Sequence, residues 1–405
     1  MPATSAPPLL LGPDEPTLLV SVTGPDRPGV TKELFAALSA PGVRVLDVEQ
    51  VVVRGRLTLA VLVTVAGDEG TLVTSATRAG HALGLEVTCV AGHGDNRPRP
   101  RGRLAVTLLG APLVPVVVSE VAAVFVDNGA NIDRVRRLSR DPVTTVEFDV
   151  SGGDADALRR TLVTQASRHG VDIAVSPAGL ARRGRRLVVM DVDSTLIQDE
   201  VIELLARHAD REAEVAAVTL AAMSGEMEFA ESLHRRVATL AGLDVAVLED
   251  VRRAVRLTPG ARTLCRTLRR LGFTLGLVSG GFTEIVGPLA RELDVQHVRA
   301  NQLEVVDGRL TGRVREPVVD RAGKADALRE FAAAEGLPLA RTVAIGDGAN
   351  DIDMLAAAGL GVAFNAKPLV RERADASVTV PYLDAVLYLL GISREEVEDA
   401  DAAGS

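Results

Sequence analysis

Leu187-Val188-Val189-Met190-Asp191-Val192-Asp193-Ser194-Thr195 decides the fold of the carboxyl-terminal half of this chain. Four apolar residues running into two carboxylates one residue apart describe a strand buried on both faces that opens onto a site at its carboxyl end. Two further apolar runs end in the same way. Phe273-Thr274-Leu275-Gly276-Leu277-Val278 leads into Ser279-Gly280-Gly281, and Thr342-Val343-Ala344-Ile345 leads into Gly346-Asp347-Gly348-Ala349-Asn350-Asp351. The alternation of these strands with helical segments predicts an α/β, mostly parallel sheet covered on both faces. Between Glu200 and Val255 no strand signal occurs, so this stretch reads as a helical cap, about residues 200–258, over the carboxyl edge of the sheet. Later, Asp307-Gly308 between Leu303-Glu304-Val305-Val306 and Leu310-Thr311-Gly312-Arg313-Val314 is a strong hairpin signal.

Upstream, the same order of elements occurs twice. From Thr17 it runs strand, helix Val30 to Leu38, two strands about Arg54-Gly55-Arg56, helix Thr71 to Leu83, and a strand near Glu86. From Arg103 it repeats, with helices Pro115 to Val126 and Asp154 to His169. Two tandem βαββαβ units are a ferredoxin-like repeat. Arginine-rich linkers at 92–102 and 176–186 divide the chain into three parts. The expected boundaries are a flexible leader at 1–15, the repeats at 16–92 and 102–177, the α/β domain at 186–393 and a solvated acidic tail at 394–405.

Composition narrows the function. Hydrophobic residues at 47% and charged residues at 24% exclude a disordered chain. A net charge of -9 and a sequence pI near 5.4 exclude a general attraction to nucleic acid or anionic membrane, so a phosphate site must concentrate its positive charge locally. Cys89 and Cys265 lie far apart without disulfide or metal-ligand spacing, which suits a reducing cytoplasm. The proline-rich start lacks a signal-peptide pattern, and no apolar stretch has the length of a membrane span. There is no Gly-x-x-x-x-Gly-Lys-Ser/Thr loop for a nucleotide.

The order and content of the three strand ends, with Lys324 between the second and third, resemble the haloacid dehalogenase superfamily of aspartate-nucleophile phosphotransferases. Within it, Asp191 to Asn365 is similar to the phosphoserine phosphatases, and the upstream repeats resemble ACT domains. The resemblance implies a Rossmann-like doubly wound sheet with a helical cap behind two ACT domains. It implies hydrolysis of O-phospho-L-serine as the last step of serine biosynthesis. Asp191 can attack phosphorus and carry the phosphoryl group, while Asp193 protonates the leaving oxygen and then deprotonates water. Crowding by other carboxylates is expected to raise the Asp193 pKa for that role. Asp191, Asp347 and Asp351 would repel one another without a hard divalent cation, and an oxygen-only ligand set favours Mg2+. The resemblance puts Mg2+ on Asp191, the Asp193 carbonyl and Asp347, with Asp351 and Asn350 in support. Ser279 and the amides of Gly280 and Gly281 would face phosphate oxygens at a helix start, and Lys324 would add fixed positive charge.

Phosphoserine also carries an ammonium and a carboxylate. Glu200 suits the first, and Arg236 suits the second through a two-pronged contact. Met223, Phe229 and Arg236 match the phosphoserine phosphatase pattern on the cap. In the first repeat, Gly24-Pro25-Asp26-Arg27-Pro28-Gly29 resembles an ACT ligand loop, of which the second repeat keeps only a glycine, Gly110. The resemblance therefore implies a homodimer through the ACT domains with L-serine as regulatory ligand bound about Gly24, Asp26, Arg27, Gly29 and Gly110. Two alternatives stay open at this level: transfer of the phosphoryl group to another alcohol, and an amino-acid sensor whose phosphatase domain is a scaffold.

Overall fold

The computed structural model describes residues 12–95, 103–179, 184, 186–223, 227 and 229–403. The leader up to residue 11, the centres of both arginine-rich stretches, residues 224–226 and 228, and the last two residues lie outside them, as do the side chains of Met223 and Phe229. The chain divides into two compact units, residues 1–99 and 100–405.

The first unit is one βαββαβ repeat: β1 (Pro16–Pro25), α1 (Val30–Leu38), β2 (Val45–Val53), β3 (Arg56–Thr64), α2 (Glu69–Ala82) and β4 (Glu86–His93). Its strands pair antiparallel in the order β2-β3-β1-β4. Leu18, Val20 and Val22 alternate inward along β1 and meet Leu34 of α1 and Ala76 of α2 in a single apolar core, as the two-residue period of a strand requires. Asp68 starts α2 by accepting hydrogen bonds from the Gly70 and Thr71 amides.

The second unit begins with the other repeat: β5 (Leu104–Gly110), α3 (Pro115–Asp127), β6 (Asn131–Ser139), β7 (Thr144–Ser151), α4 (Ala155–His169) and β8 (Asp172–Pro177). It continues with β9 (Leu187–Met190), α5 (Val201–His208), α6 (Glu212–Met223), α7 (Phe229–Ala238), α8 (Val247–Ala254), α9 (Ala261–Arg270), β10 (Thr274–Phe282) and α10 (Thr283–Leu293). The remainder is β11 (His297–Val306), β12 (Arg309–Arg315), α11 (Arg321–Ala334), β13 (Thr342–Gly346), α12 (Ile352–Ala357), β14 (Leu360–Phe364), α13 (Pro368–Arg371), β15 (Ala376–Val378), α14 (Val386–Leu389) and α15 (Arg394–Ala403). Strands β11-β10-β9-β13-β14-β15 are parallel, with β9 central.

Three findings correct or add to the sequence reading. First, the second repeat and the α/β part share one sheet of eleven strands, ordered β12-β11-β10-β9-β13-β14-β15-β8-β5-β7-β6, so the stretch about 176–186 joins two parts of one compact unit. The junction is a single antiparallel bridge, Ala376 to Ala174, reinforced by Asp172. That carboxylate is buried and accepts from Ser377 Oγ at 2.8 Å, Thr379 N at 2.8 Å and Thr379 Oγ1 at 3.0 Å. Second, β11 is longer than the hairpin signal implied. Its first half is a parallel strand beside β10, and its second half turns back through Asp307-Gly308, both at positive φ as such a tight turn demands. Third, the acidic tail is a helix, α15, and most of its residues are exposed as a solvated end requires. Val397 is buried in the core, and Asp401 pairs with Arg266 and Arg270 of α9.

The cap helices α5 to α8 are fastened at two places. Where the cap leaves and rejoins the sheet domain, Ile197 bridges Leu257, Gln198 N donates to Arg256 O at 2.9 Å and Thr258 N donates to Leu196 O at 2.9 Å. At the far end, Gly242 N donates to Leu310 O at 2.8 Å and Val245 N to Gly308 O at 2.9 Å, so the hairpin holds the turn after α7.

Asp172→Ala would leave two hydroxyls and a backbone amide without their acceptor. It is expected to destabilise residues 100–405 by about 2–3 kcal/mol, measured as a lowered urea midpoint. An unchanged midpoint would show that other contacts hold the junction.

Candidate active site

The three chemistry-bearing strand ends are neighbours because β9 lies between β10 and β13. Asp191 follows β9, and its amide donates to Ile345 O of β13 at 2.9 Å, which sets the two strand ends level. One cavity of about 160 Å3 is lined by Asp191, Asp193, Gly280, Gly281, Lys324, Asp347 and Asn350 on the sheet side. From the cap side Glu200, Ile202, Leu233 and Arg236 close it.

Lys324 enters from the first turn of α11, whose start is capped by Asp320 accepting from Gly323 N at 2.8 Å. It has no exposed surface. Its Nζ donates to Asp351 Oδ1 at 2.7 Å and stands 2.7 Å from Asp191 Oδ1 as an ion-pair contact. Burial works against its charge, but Asp191 and Asp351 outweigh that and hold it well above the usual lysine range. Asp351 is fixed in turn by accepting from Gly348 N at 2.9 Å.

Burial, then the neighbouring Asp351, pushes the Asp191 carboxyl well up, with Lys324 opposing. Asp347 is pushed up to about 6 by burial and then by Asp351, against the Thr195 hydroxyl that donates to its Oδ1 at 3.0 Å. Asp191, Asp347 and Asp351 each offer an oxygen within 4.8 Å of the others. Three carboxylates around one lysine, those of Asp191 and Asp351 buried and that of Asp347 half-buried, hold more negative charge than that lysine can balance. An all-oxygen, anionic donor set of this kind fits a hard divalent cation.

Asp193 differs from the expectation in the cause of its shift. Its pKa is raised by burial, and no neighbouring carboxylate is a principal cause. Both oxygens are held: Oδ1 accepts from Val201 N at 2.8 Å and Oδ2 from Ser279 Oγ at 3.0 Å. Ser279 therefore directs its hydroxyl at Asp193, while that same oxygen accepts from Gly281 N at 2.7 Å. The expected strand-to-helix junction also lies further on, since Gly280 and Gly281 remain in β10 at an irregularity of its pairing and α10 begins at Thr283. A Cβ at Gly281 would come within 2.7 Å of Asp193 Oδ2 and 2.9 Å of Ser279 Oγ, so only glycine fits this approach.

On the cap wall, burial and then the charges of Asp193 and Asp347 push Glu200 up to about 7, with the Ser194 hydroxyl opposing. Burial lowers the Arg236 pKa, and Glu200 is the first of the acids that oppose this. Met223 ends α6 and Phe229 begins α7, in keeping with a place on the cap, and their side chains lie outside the described residues.

Several site residues carried no signal in the reading of the sequence. Ser194 and Thr195 stood in the quoted motif without a role, although they reach Glu200 and Asp347. Asn301 clamps the site from behind, donating through Nδ2 to Gly280 O at 2.8 Å and accepting at Oδ1 from Val319 N at 2.7 Å. Ile202 and Leu233 supply apolar wall, and Leu233 was legible as the position one turn before Arg236 on the same helix face.

In the first unit Gly24 is buried at the end of β1, while Asp26 and Arg27 are exposed and Gly29 caps α1 at φ +98°. A Cβ at Gly24 would meet Leu85 Cδ2 at 2.5 Å, so packing alone requires that glycine. Gly110 ends β5, where a Cβ would lie 3.0 Å from Leu113.

Residues 188–356 match the haloacid dehalogenase-like hydrolase family, and residues 16–90 and 104–176 each match the ACT domain. The phosphoserine phosphatase of Streptomyces coelicolor is 60% identical over 390 residues, covering 96% of this chain and 95% of that protein. The Mycobacterium tuberculosis phosphoserine phosphatase is 53% identical over 397 residues, covering 96% of this chain and 97% of that protein. A solved structure of a probable phosphoserine phosphatase from Vibrio cholerae, in unliganded form, aligns with a TM-score of 0.57 at 32% identity, covering 73% of this chain and 88% of that one. This chain belongs to the haloacid dehalogenase-like hydrolases and, within them, to the phosphoserine phosphatase family, with two ACT domains ahead of the hydrolase domain.

Proposed function

We propose that this protein hydrolyses O-phospho-L-serine to L-serine and phosphate, in a Mg2+-dependent reaction completing serine biosynthesis in the cytoplasm. The observation that carries this reading is the pairing, in one small cavity, of a buried carboxylate–lysine cluster with an acid and an arginine on the facing cap wall. The cluster suits a phosphoryl group, and Glu200 and Arg236 suit the ammonium and carboxylate of the serine moiety. Among the described residues no helix is long and apolar enough to cross a membrane.

In the first step an Asp191 carboxylate oxygen attacks phosphorus as the bond from phosphorus to the serine oxygen breaks. Asp193, whose pKa burial raises, gives its proton to the departing serine alkoxide. In the second step Asp193 takes a proton from water, whose oxygen displaces Asp191 from phosphorus and releases phosphate. Lys324 stays positive throughout and offsets charge on the phosphoryl oxygens, while the amide of Gly280 can donate to them. Asp191, the Asp193 carbonyl and Asp347 would hold a Mg2+ that neutralises the acids and the phosphoryl charge, with Asp351 and Asn350 supporting that arrangement.

Phosphate release from L-phosphoserine is expected to require Mg2+, to stop on chelation and to return when Mg2+ is restored. Asp191→Asn, with an unchanged circular-dichroism spectrum, is expected to lose roughly a thousandfold or more in kcat. Turnover near the wild-type rate in that variant would remove Asp191 as the nucleophile.

Glu200 gives the pH dependence a sign. Its carboxyl is pushed up to about 7, so in the free enzyme the ionised form that attracts an ammonium grows as pH rises through 7. The kcat/KM for phosphoserine, divided by that for 3-phosphooxypropanoate, is expected to climb from about pH 6 to 8. This second substrate is the same monoester without the ammonium, so the ratio cancels the titrations the two share. A flat ratio would remove Glu200 from ammonium recognition.

The ACT domains are read as pairing two copies into a homodimer and taking L-serine, the product, as a restraining ligand. Because Gly24 is needed for packing against Leu85, the exposed Asp26 and Arg27 are the better probes. Asp26→Ala and Arg27→Ala are expected to weaken inhibition by L-serine severalfold without changing the uninhibited rate. Inhibition curves overlaying the wild type would place the regulatory ligand elsewhere.

A further inference from the structure

Ser194 has no part in the chemistry above, yet its backbone sits at φ +56°, in the left-handed region that serine rarely adopts. A conformation of that kind persists where its surroundings hold it, and it clusters where a side chain must be aimed. What it aims here is a hydroxyl. Ser194 Oγ donates to Glu200 Oε1 at 2.7 Å, across six residues of chain.

The residues on both sides of Glu200 are also fastened, Asp199 through its carboxylate and Val201 through its amide. Asp199 accepts from Arg256 N and from Arg256 Nη2, each at 2.8 Å, and Val201 N donates to Asp193 Oδ1 at 2.8 Å. These contacts fix where the residue begins, but the two methylene groups of Glu200 still allow its carboxylate several directions. The Ser194 hydroxyl removes that freedom. Its acceptor lines the cavity on the same wall as Arg236, so the bond holds a negative group at the edge of the substrate space.

We infer that Ser194 is a positioning residue for substrate choice: its left-handed turn holds the Glu200 carboxylate at the cavity, so that recognition of the substrate's ammonium depends on this hydroxyl. The inference rests on the reading of Glu200 as the group that meets the ammonium. Ser194 itself touches neither the phosphoryl group nor the leaving oxygen in this scheme. Its removal should therefore appear in KM for phosphoserine and in the preference over an ammonium-free monoester.

The test compares Ser194→Gly, Ser194→Ala, Glu200→Gln and the double variant Ser194→Gly/Glu200→Gln in the full chain. Glycine adopts the left-handed conformation without strain and lacks the hydroxyl, whereas alanine lacks the hydroxyl and keeps the strain. Each protein is assayed with L-phosphoserine and with 3-phosphooxypropanoate, and the ratio of the two kcat/KM values is read. Both Ser194 variants are expected to lower that ratio roughly tenfold, through a raised KM for phosphoserine, since a hydrogen bond to a charged group is lost. Glu200→Gln should lower it too, and the double variant should fall no further than Glu200→Gln alone, because the serine acts only through the glutamate. A normal ratio in Ser194→Gly beside a lowered one in Glu200→Gln would overturn the inference and leave the proposed substrate standing. So would a loss confined to Ser194→Ala, which would assign the effect to backbone strain, or fully additive losses in the double variant. A normal ratio in Glu200→Gln would overturn both this inference and the ammonium role beneath it.

Discussion

Lys324 is a charged group with no exposed surface, and an ammonium in that position survives only if anions meet it at close range. Asp191 and Asp351 do so, each at 2.7 Å. The requirement draws together the end of the central strand β9, the first turn of α11 and the turn after β13, which are far apart in the chain. It also leaves the site with a surplus of acid, since Asp193, Asp347 and Glu200 stand nearby with Arg236 as the other cation on the cavity wall. A pocket built in this way favours whatever brings positive charge into it, and it presents a fixed cation to a phosphoryl group at no cost of rearrangement.

The cap acts on the same chemistry through hydrogen bonds that cross from one layer to the other. Val201 N, at the start of the first cap helix, holds one oxygen of Asp193, while Ser279, at the end of a sheet strand, holds the other. Asp193 is thereby suspended between cap and sheet. Thr258 Oγ1 donates to Thr195 O at 2.7 Å, and Thr195 in turn holds Asp347, so the segment by which the cap returns also reaches the acid cluster. A change in the seat of the cap would be felt by Asp193 and Asp347 before it was felt by Lys324.

Much of this was legible in the sequence because it was local. Apolar runs ending in acids marked β9 and β13, Asp307-Gly308 marked a turn with two positive φ angles, and the repeated order of elements marked two βαββαβ units. The parts that were not legible depend on polar contacts between distant residues. Asp172 meets Ser377 and Thr379 across more than half the chain, and nothing near Asp172 announces that its strand will continue another sheet. The helical state of the acidic tail was not legible because its charge was counted without its partners; Arg266 and Arg270 on α9 meet Asp401. Asp193 was expected to be raised by crowding, but depth in the protein achieves the same direction. Ser279 stood where an anion-binding hydroxyl was expected, and its hydrogen bond to Asp193 depends on a residue 86 positions away.

The shared sheet has a topological consequence. An isolated βαββαβ sheet has two open edges, each able to accept a further strand. In the second repeat one of them, β8, is occupied by β15, which leaves β6 as the free margin at that end of the eleven strands. That margin carries Arg134, Arg136 and Arg137 within one short stretch, where Arg136 pairs with Glu147 of β7 and Arg137 with Glu395 of α15. The two repeats, alike in the order of their elements, are thus unequal in what they can still add to: among the described residues the first keeps both borders of its own four-stranded sheet, and the second has surrendered one to the catalytic half of the chain.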